Sequence, residues 1–465
     1  MQKIRLTSQE KALFVNEELG KHSLFPQGQR EVPGEQNAPW RISPEPYYLD
    51  EPTIARLKDL GRHLLAFYRG CQRLYRASTR GQAPSWVAEY LEGGKTELVI
   101  DYGRMNRFAR DLPIIIRPDI LLTKKGDLVI SELDSVPGGF GLLGALSRIY
   151  HDLGAEIIGG RDGIVEGFRW AIEGLAPEGR LAIIVSRESS DYWEEMVWMG
   201  QALTDAGLPT AVIRPEEVEF RENGLYVHGQ PLEIIYRFFE LFDLKNIPKI
   251  DLILYGIRKG MVKVTPPLKS YLEEKLLFAL FHHPLLKDFW WNTLGEETCT
   301  ILEEVLPPTW IIDNRPLPPH GVIPGLTIGE RAINSWQELK DCTQRQRELV
   351  LKPSGFSELA WGSRGVHIGH DLSSEKWAAA VDEALESFPQ TPYVLQPFVT
   401  GRRDALTYYD FAAGTIKDMA GRTRLCPYYF VRDEEVVLGG ILATSCPLNK
   451  KAIHGMVEAI MTPTA

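Results

Sequence analysis

Residues 117–141 read RPDILLTKKGDLVISELDSVPGGFG. Two apolar runs, Leu112–Ile116 and Leu128–Ser131, have strand composition. Lys124-Lys125-Gly126-Asp127 between them is turn chemistry, which predicts a hairpin. In a strand, alternate side chains share a face. Glu132 and Asp134 therefore project together, with Leu133 pointing into a core. Arg117 and Asp119 form a second same-face pair, and a hairpin brings them beside the first. Two adjacent carboxylates repel unless a proton or cation intervenes. Mg²⁺ takes such oxygen ligands and often bridges them to phosphates. Asp119, Glu132 and Asp134 are thus candidate Mg²⁺ ligands, and Arg117 a candidate partner for phosphate or a substrate carboxylate. A solvated strand face with ion pairs is the competing reading. Gly138, Gly139 and Gly141 permit close backbone approach and positive φ. That suits a loop closing on a substrate and a tight structural turn equally. The stretch lacks the GKS or GKT ending of a phosphate-binding P-loop.

Far along the chain, Val350-Leu351-Lys352-Pro353 places a lysine at the end of an apolar strand, Glu348–Leu351. From a sheet, Lys352 can reach a cleft and neutralise phosphate charge. Ser354, Gly355, Ser357, Gly362, Ser363, Arg364 and Gly365 follow as a donor-rich loop of the kind that covers phosphates. Phe356 and Trp361 either fold over that cleft or pack. Gln396-Pro397-Phe398-Val399 ends a second strand, with Phe398 near an adenine ring or in the core. Arg422 and Arg424 share a strand face, free for phosphate or for surface carboxylates. Lys450, Lys451 and His454 form a small basic group. Glu240, after the apolar Tyr236–Phe239 run, is placed to receive an amine or to pair with Arg237. Lys275 lies in a predicted helix, Leu268–Phe281, whose apolar face includes Leu272, Leu276 and Leu280. It reaches a nucleotide or stays at the surface. His282-His283 has no helically spaced partner for zinc, and no GxSxG occurs.

The remaining pattern is alternating. Helices are predicted at 8–19, from Asp50 onward through Leu74, at Leu143–Leu153, Gly163–Ile172, Tyr192–Ala206, Trp290–Leu306, Trp336–Arg347 and, behind an N-cap at Ser373, Glu375–Phe388. Strands are predicted at Arg180–Val185, Pro209–Ile213, Ile234–Phe239, Tyr393–Pro397, Asp404–Asp410 and Glu435–Leu442. The strand–helix–strand order over 160–250 predicts a small α/β layer.

With 465 residues, 44% hydrophobic and 25% charged, the chain has the composition of a globular protein of two to four domains. A net charge of −10 gives no overall basic footprint for nucleic acid, though it leaves room for a local basic cleft. The five cysteines, Cys71, Cys299, Cys342, Cys426 and Cys446, are scattered without a CxxC pair. That argues against structural zinc or a disulfide framework and for a reducing, cytoplasmic setting. Neither a signal peptide nor a membrane span is expected.

Taken in order, these residues resemble a family: the circularly permuted ATP-grasp proteins, close to the synthetase domain of glutathionylspermidine synthase. The resemblance runs from about Asp111 to the C-terminus and is weakest over 160–230. It rests on Arg117-x-Asp119, Glu132-x-Asp134 with the small-residue loop after it, Tyr236-Arg237 to Glu240, Lys275, Val350-Leu351-Lys352-Pro353, Gly365-Val366 leading to Gln396, and Arg424.

The resemblance implies an α/β (α+β) fold: a permuted ATP-grasp core, a small preATP-grasp-like layer and an N-terminal helical region. The expected partition is 1–105 helical and loop, 106–160 metal-binding, 161–255 preATP-grasp-like, 256–345 helical nucleotide cleft, and 346–465 lysine-bearing with the tail. It implies Mg²⁺ at Asp119, Glu132 and Asp134, and ATP at Lys275, Lys352 and Arg424; Gln396 and Phe398, read above from their own strand, are the candidates on the adenine side. Arg117, Lys352 and Glu240 take catalytic roles. The implied reaction joins a small-molecule or peptide carboxylate to an amine through an acyl phosphate. Asp134 stands where the family usually has asparagine, and Pro137-Gly138-Gly139 replaces a loop richer in serine and threonine, so neither glutathione nor spermidine is named as substrate. A non-catalytic ATP-binding scaffold and a small-molecule phosphotransferase are the alternatives. Nothing in the sequence fixes the oligomeric state.

Overall fold

The computed structural model describes residues 6–24, 40–134, 136–315, 317, 321–363, 365–450, 453 and 458–465, with only the backbone for 361–363. Arg364, Lys451 and His454 lie outside the described residues.

Two helices open the chain. The first, α1 (Ser8–Lys21), begins with a capping box between Thr7 and Glu10. The second, α2 (Glu51–Thr79), is capped by Asp50, whose carboxylate accepts from Thr53 N. After two shorter helices, Ser85–Glu92 and Glu97–Arg104, come two strands, β1 (Ile115–Leu122) and β2 (Leu128–Asp134), antiparallel as predicted but reaching further. β1 starts later than the apolar run and carries Arg117 and Asp119 within it.

This hairpin lies at one edge of a six-stranded sheet. Its order is Ile460–Pro463, Glu435–Pro447, Thr415–Arg432, β1, β2, with Asp404–Asp410 also paired to Thr415–Arg432. The strands of 18 and 13 residues at its centre exceed what local pattern predicted. One face packs on α1 and the helices Phe140–Asp152 and Gly163–Leu175 through Ile115, Cys426, Tyr428 and Phe430. The opposite face packs on α2 and Leu276–His282 through Ile116, Ile120, Leu425, Tyr429 and Val431. Alternation along each strand supplies both cores.

A second, antiparallel sheet has the order Trp310–Ile312, Tyr393–Pro397, Leu349–Pro353, His367–Ile368. Helix Ser374–Glu386 backs it, capped by Ser373, whose hydroxyl accepts from Lys376 N. A third, parallel sheet, Thr210–Ile213, Leu181–Val185, Ile234–Phe238, Lys263–Thr265, forms the predicted α/β layer.

Three predicted helices differ. Leu268–Phe281 is a 3₁₀ turn, Ser270–Leu272, and then a helix, Leu276–His282, so Lys275 sits at the helix start rather than on its side. Buried Lys269 and Glu274 bind the Asp111 carbonyl and Lys95, and these tertiary partners hold the backbone off a continuous helix. Trp290–Leu306 is two helices broken at Gly295, whose φ of +79° only glycine adopts without strain. Trp336–Arg347 is helical only as the 3₁₀ segment Trp336–Asp341. All five cysteines are buried. Among the described residues, no helix is long and apolar enough to cross a membrane.

Candidate functional site

In the β1–β2 ladder Arg117 faces Asp134 and Asp119 faces Glu132, so all four lie on one sheet face. Strict alternation would instead put Glu132 and Asp134 on the side of Ile130, in the α2 core. A β-bulge corrects this: Asp119 pairs with Glu132 but Ile120 with Ile130, leaving Ser131 as the extra residue. Beyond the bulge the two carboxylates turn away from that core. Leu133 packs into it, as predicted.

Charges from distant segments meet on this face. Arg117 Nη2 lies 3.1 Å from Asp119 Oδ1 and 2.9 Å from Asp134 Oδ2. Arg424 Nη1 is 2.8 Å from Asp119 Oδ2. Lys275 Nζ is 2.8 Å from Glu132 Oε1. From the second sheet, Lys352 Nζ donates to the carbonyl of bulge residue Ser131 at 3.1 Å. Arg117 Nε and Arg424 Nε are buried with no acceptor.

The electrostatics follow from burial and crowding. Burial pushes the Asp119 carboxyl up, but Arg117 and Arg424 outweigh it and hold the pKa below the usual value. Asp134 moves the other way: burial raises it, Arg117 opposes, and Glu132 and Asp119 add to the rise. Burial lowers the Lys352 pKa to about 8 against the attraction of Glu132. Lys275 is raised: Glu132 overcomes the cost of burial. Glu240 is pushed up by burial and by neighbouring Glu273 and Asp134.

Among the described residues, no three His, Cys, Asp or Glu side chains are arranged to hold a metal ion. The three candidate ligands share a face, but each is met by a protein cation. Asp119 is 4% exposed with both oxygens engaged. The side chains of Glu132 and Asp134 keep 39% and 31% exposure and are hard oxygen donors. These two fit an accessible Mg²⁺ chemically, with Asp119 enclosed behind them.

Other candidates have hydrogen-bond or ring partners outside this cluster. Buried Gln396 donates through Nε2 to Thr309 Oγ1 at 3.0 Å, and the Phe398 ring meets His370 edge-on at 4.7 Å. Arg422 Nη1 donates to the Leu448 carbonyl, and Lys450 pairs with Glu458. Arg237 is fully buried and paired with Glu273, not Glu240. Phe356 packs against the core of the parallel-sheet layer beneath Lys95.

The glycine-rich stretch is a packed turn. A Cβ on Gly138 would meet the Tyr192 ring at 2.2 Å, and one on Gly141 the Glu195 carbonyl at 2.2 Å. Gly139, at φ +91°, donates its N–H to Glu195 Oε1 at 2.7 Å. Glu195 thereby fills the N-terminus of helix Phe140–Asp152 with a carboxylate, where the helix dipole favours one. Glu195, Glu273, Cys426 and Tyr428 went unread in the sequence. For the last two the signal was present: Arg424-x-Cys426-x-Tyr428 is a same-face strand series, with Cys426 Sγ 3.4 Å from Asp119 Oδ1.

No protein-family model matches the chain, and no curated protein matches it. Among solved structures it is similar to a glutathione synthetase-like effector from Globodera pallida in apo form. The TM-score is 0.58 at 11% identity, covering 98% of this chain and 96% of that one. A putative gamma-glutamylcysteine synthetase from Methylobacillus flagellatus aligns at TM-score 0.43 and 13% identity, over 90% and 88% of the two chains. The first likeness is one of fold: a mixed α/β architecture shared over nearly the whole of both chains.

Proposed function

We propose that the protein is an Mg-ATP-dependent carboxylate–amine ligase on a circularly permuted ATP-grasp core, similar to glutathionylspermidine synthase in its chemistry. The observation that carries this reading is the meeting of Arg117, Asp119, Glu132, Asp134, Lys275, Lys352 and Arg424 on one sheet face. A cluster of cations with unsatisfied donors beside accessible carboxylates suits phosphate and Mg²⁺ together. The fold shared with the glutathione synthetase-like effector agrees with it.

In this reading a substrate carboxylate oxygen attacks the γ-phosphorus of ATP, the bond to the β-phosphate oxygen breaks, and ADP leaves. The amine nitrogen then attacks the acyl carbon, phosphate departs, and the amide forms as the nitrogen loses its proton. Lys275 and Lys352 hold the phosphate chain, with Gln396 and Phe398 on the adenine side. Arg117 and Arg424 supply positive charge beside the transferred phosphoryl. Glu132 and Asp134, with Asp119 behind them, would hold Mg²⁺, which offsets developing phosphate charge when bound. Glu240 orients the amine: its crowding with Glu273 is relieved by a cationic or donating group. The parallel-sheet layer over 161–255, extended by the strand Lys263–Thr265 beyond that range, serves as the preATP-grasp-like domain, and the acid and amine are small molecules or peptides.

Calorimetry of ATP with and without Mg²⁺, on wild type and Glu132→Gln, tests the site. The expected outcome is Mg²⁺-dependent binding weakened at least tenfold in the variant, with an unchanged melting temperature. A panel of acids and amines then separates the chemistries. ADP, phosphate and amide support ligation, whereas ADP with a stable phosphoester indicates phosphotransfer. No wild-type binding up to millimolar ATP sinks the proposal.

A further inference from the structure

Arg69, Arg73 and Arg76 lie on α2 and Arg80 caps its C-terminus; the spacings of four, three and four put them on one side of the helix. Together they line a cavity of about 580 Å³. A second cavity, of about 700 Å³, shares Arg69 and Gln72 with the first and adds Arg107, Arg110 and Lys263. None of the residues of the sheet-face cluster lines either one.

Like charges at these spacings repel, and the usual remedy is an interleaved carboxylate. Arg69 has one, Glu434. Arg76 and Arg80 instead converge on a single neutral acceptor, Asn106 Oδ1, at 2.5 and 3.1 Å. Among the described residues, no carboxylate forms an ion pair with Arg73, Arg76, Arg80, Arg107 or Arg110, although the chain as a whole carries net charge −10. The acidic groups bordering the second cavity are Asp111, Asp433 and Glu434. Next to both cavities lies Lys269, 1% exposed, its ammonium held by the Asp111 carbonyl at 2.6 Å and by Gln72. Burial lowers its pKa to about 7; Asp111 opposes the drop and Arg76 deepens it. The region is short of negative charge.

We propose that this arginine-lined trough is a second binding site, for a small molecule carrying two or more linked phosphate groups. Guanidinium groups are planar forks that grip phosphate oxygens in pairs, and several in one concavity recognise more than a single phosphate. The cavity volumes are those of small-ligand sites. A short trough on one helix face, in an acidic protein, does not offer the long basic track that a nucleic acid needs. The site is independent of the ligase reading.

Isothermal titration with inorganic pyrophosphate tests it, using wild type, the double variant Arg73→Gln/Arg80→Gln, the single variant Arg73→Gln, and Lys352→Ala. Arg73 and Arg80 are exposed, so the double variant is expected to melt with wild type. The expected result is at least tenfold weaker pyrophosphate binding in the double variant, an intermediate loss in the single one, and retention of this binding in Lys352→Ala. Wild-type affinity in the double variant overturns the proposal. So does loss of all binding in Lys352→Ala, which would put the anion on the sheet-face cluster. Binding of a single-stranded RNA oligomer without pyrophosphate binding would overturn it as well.

Discussion

Burial takes the Lys352 ammonium out of water and lowers its pKa to about 8, with Glu132 opposing the change. An unfolded lysine titrates near about 10.4. Below about pH 8 the group is charged in both states, and its burial is a constant cost to folding. Between about 8 and about 10.4 the unfolded chain binds more protons, so this group makes stability rise with pH across that window. Phosphate binding asks for the opposite state. ATP affinity should fall as pH rises through about 8, with proton uptake on binding, while Lys352→Arg should flatten the profile because arginine stays charged. Calorimetry in buffers of different ionisation enthalpy checks both. Asp119 holds two arginines in a nearly closed setting, and its depressed pKa marks an anchor. Its stabilisation is complete above the unfolded value near about 3.9 and is lost as pH falls through the folded one. Asp119→Ala should cost about 3–5 kcal/mol in urea unfolding, because it strands buried guanidinium charge. Asp134→Asn removes a charge that burial and the neighbouring carboxylates already disfavour, and should stay within about 1 kcal/mol of wild type. Equal effects would contradict the division of labour between these two carboxylates.

At the scale of elements, helix propensity and packing compete along the same helix. Gly61 lies inside α2, where glycine is about 1 kcal/mol worse than alanine. A Cβ there would come within 2.6 Å of the Tyr429 ring and 2.8 Å of Val436. The close approach of α2 to the sheet decides the residue, so Gly61→Ala should destabilise by about 1–3 kcal/mol through overpacking. Gly20, near the end of α1, has nothing within 4 Å of its Cβ position. There propensity acts alone, and Gly20→Ala should be neutral to stabilising by up to about 1 kcal/mol. Thermal melts of the pair check the contrast. The same competition explains the Lys275 segment, where an apolar helical period yields to the buried partners of Lys269 and Glu274.

Across the whole molecule, the site depends on a sheet assembled from two parts of the chain, 115–134 and 404–463. Its outer strand, Ile460–Pro463, pairs with Leu442–Ser445, and the residues around it tie down the N-terminal region. Arg41 N donates to Ala459 O at 2.9 Å, Tyr47 N to Pro463 O at 3.0 Å, and Ile158 N to Thr464 O at 3.0 Å. Ile460 and Thr464 are almost wholly buried. Deleting residues 459–465 removes these acceptors and opens the sheet edge, leaving buried donors unsatisfied. The expected outcome is loss of cooperative unfolding by circular dichroism. A truncated chain that melts like wild type would show that the edge is dispensable.

Local rules were enough for much of this protein. Ser373 and Asp50 announce their helices because a short polar side chain caps a helix whatever surrounds it. The strands Tyr393–Pro397 and Asp404–Asp410 are legible from composition. The order Arg117, Asp119, Glu132, Asp134, Lys352, Arg424 made a charged cluster a reasonable expectation, since period-two spacing fixes which neighbours share a face. Tertiary structure decided the rest. Nothing local reveals the bulge at Ser131, because it arises from how β2 pairs with β1. Without it the two carboxylates would face the α2 core. Nor does local pattern show that Lys275 meets Glu132, that Asp119 is enclosed by two arginines, or that Glu195 fills the glycine turn. Those contacts join residues far apart in sequence, and their energies depend on burial and distance, which exist only once the sheets have packed.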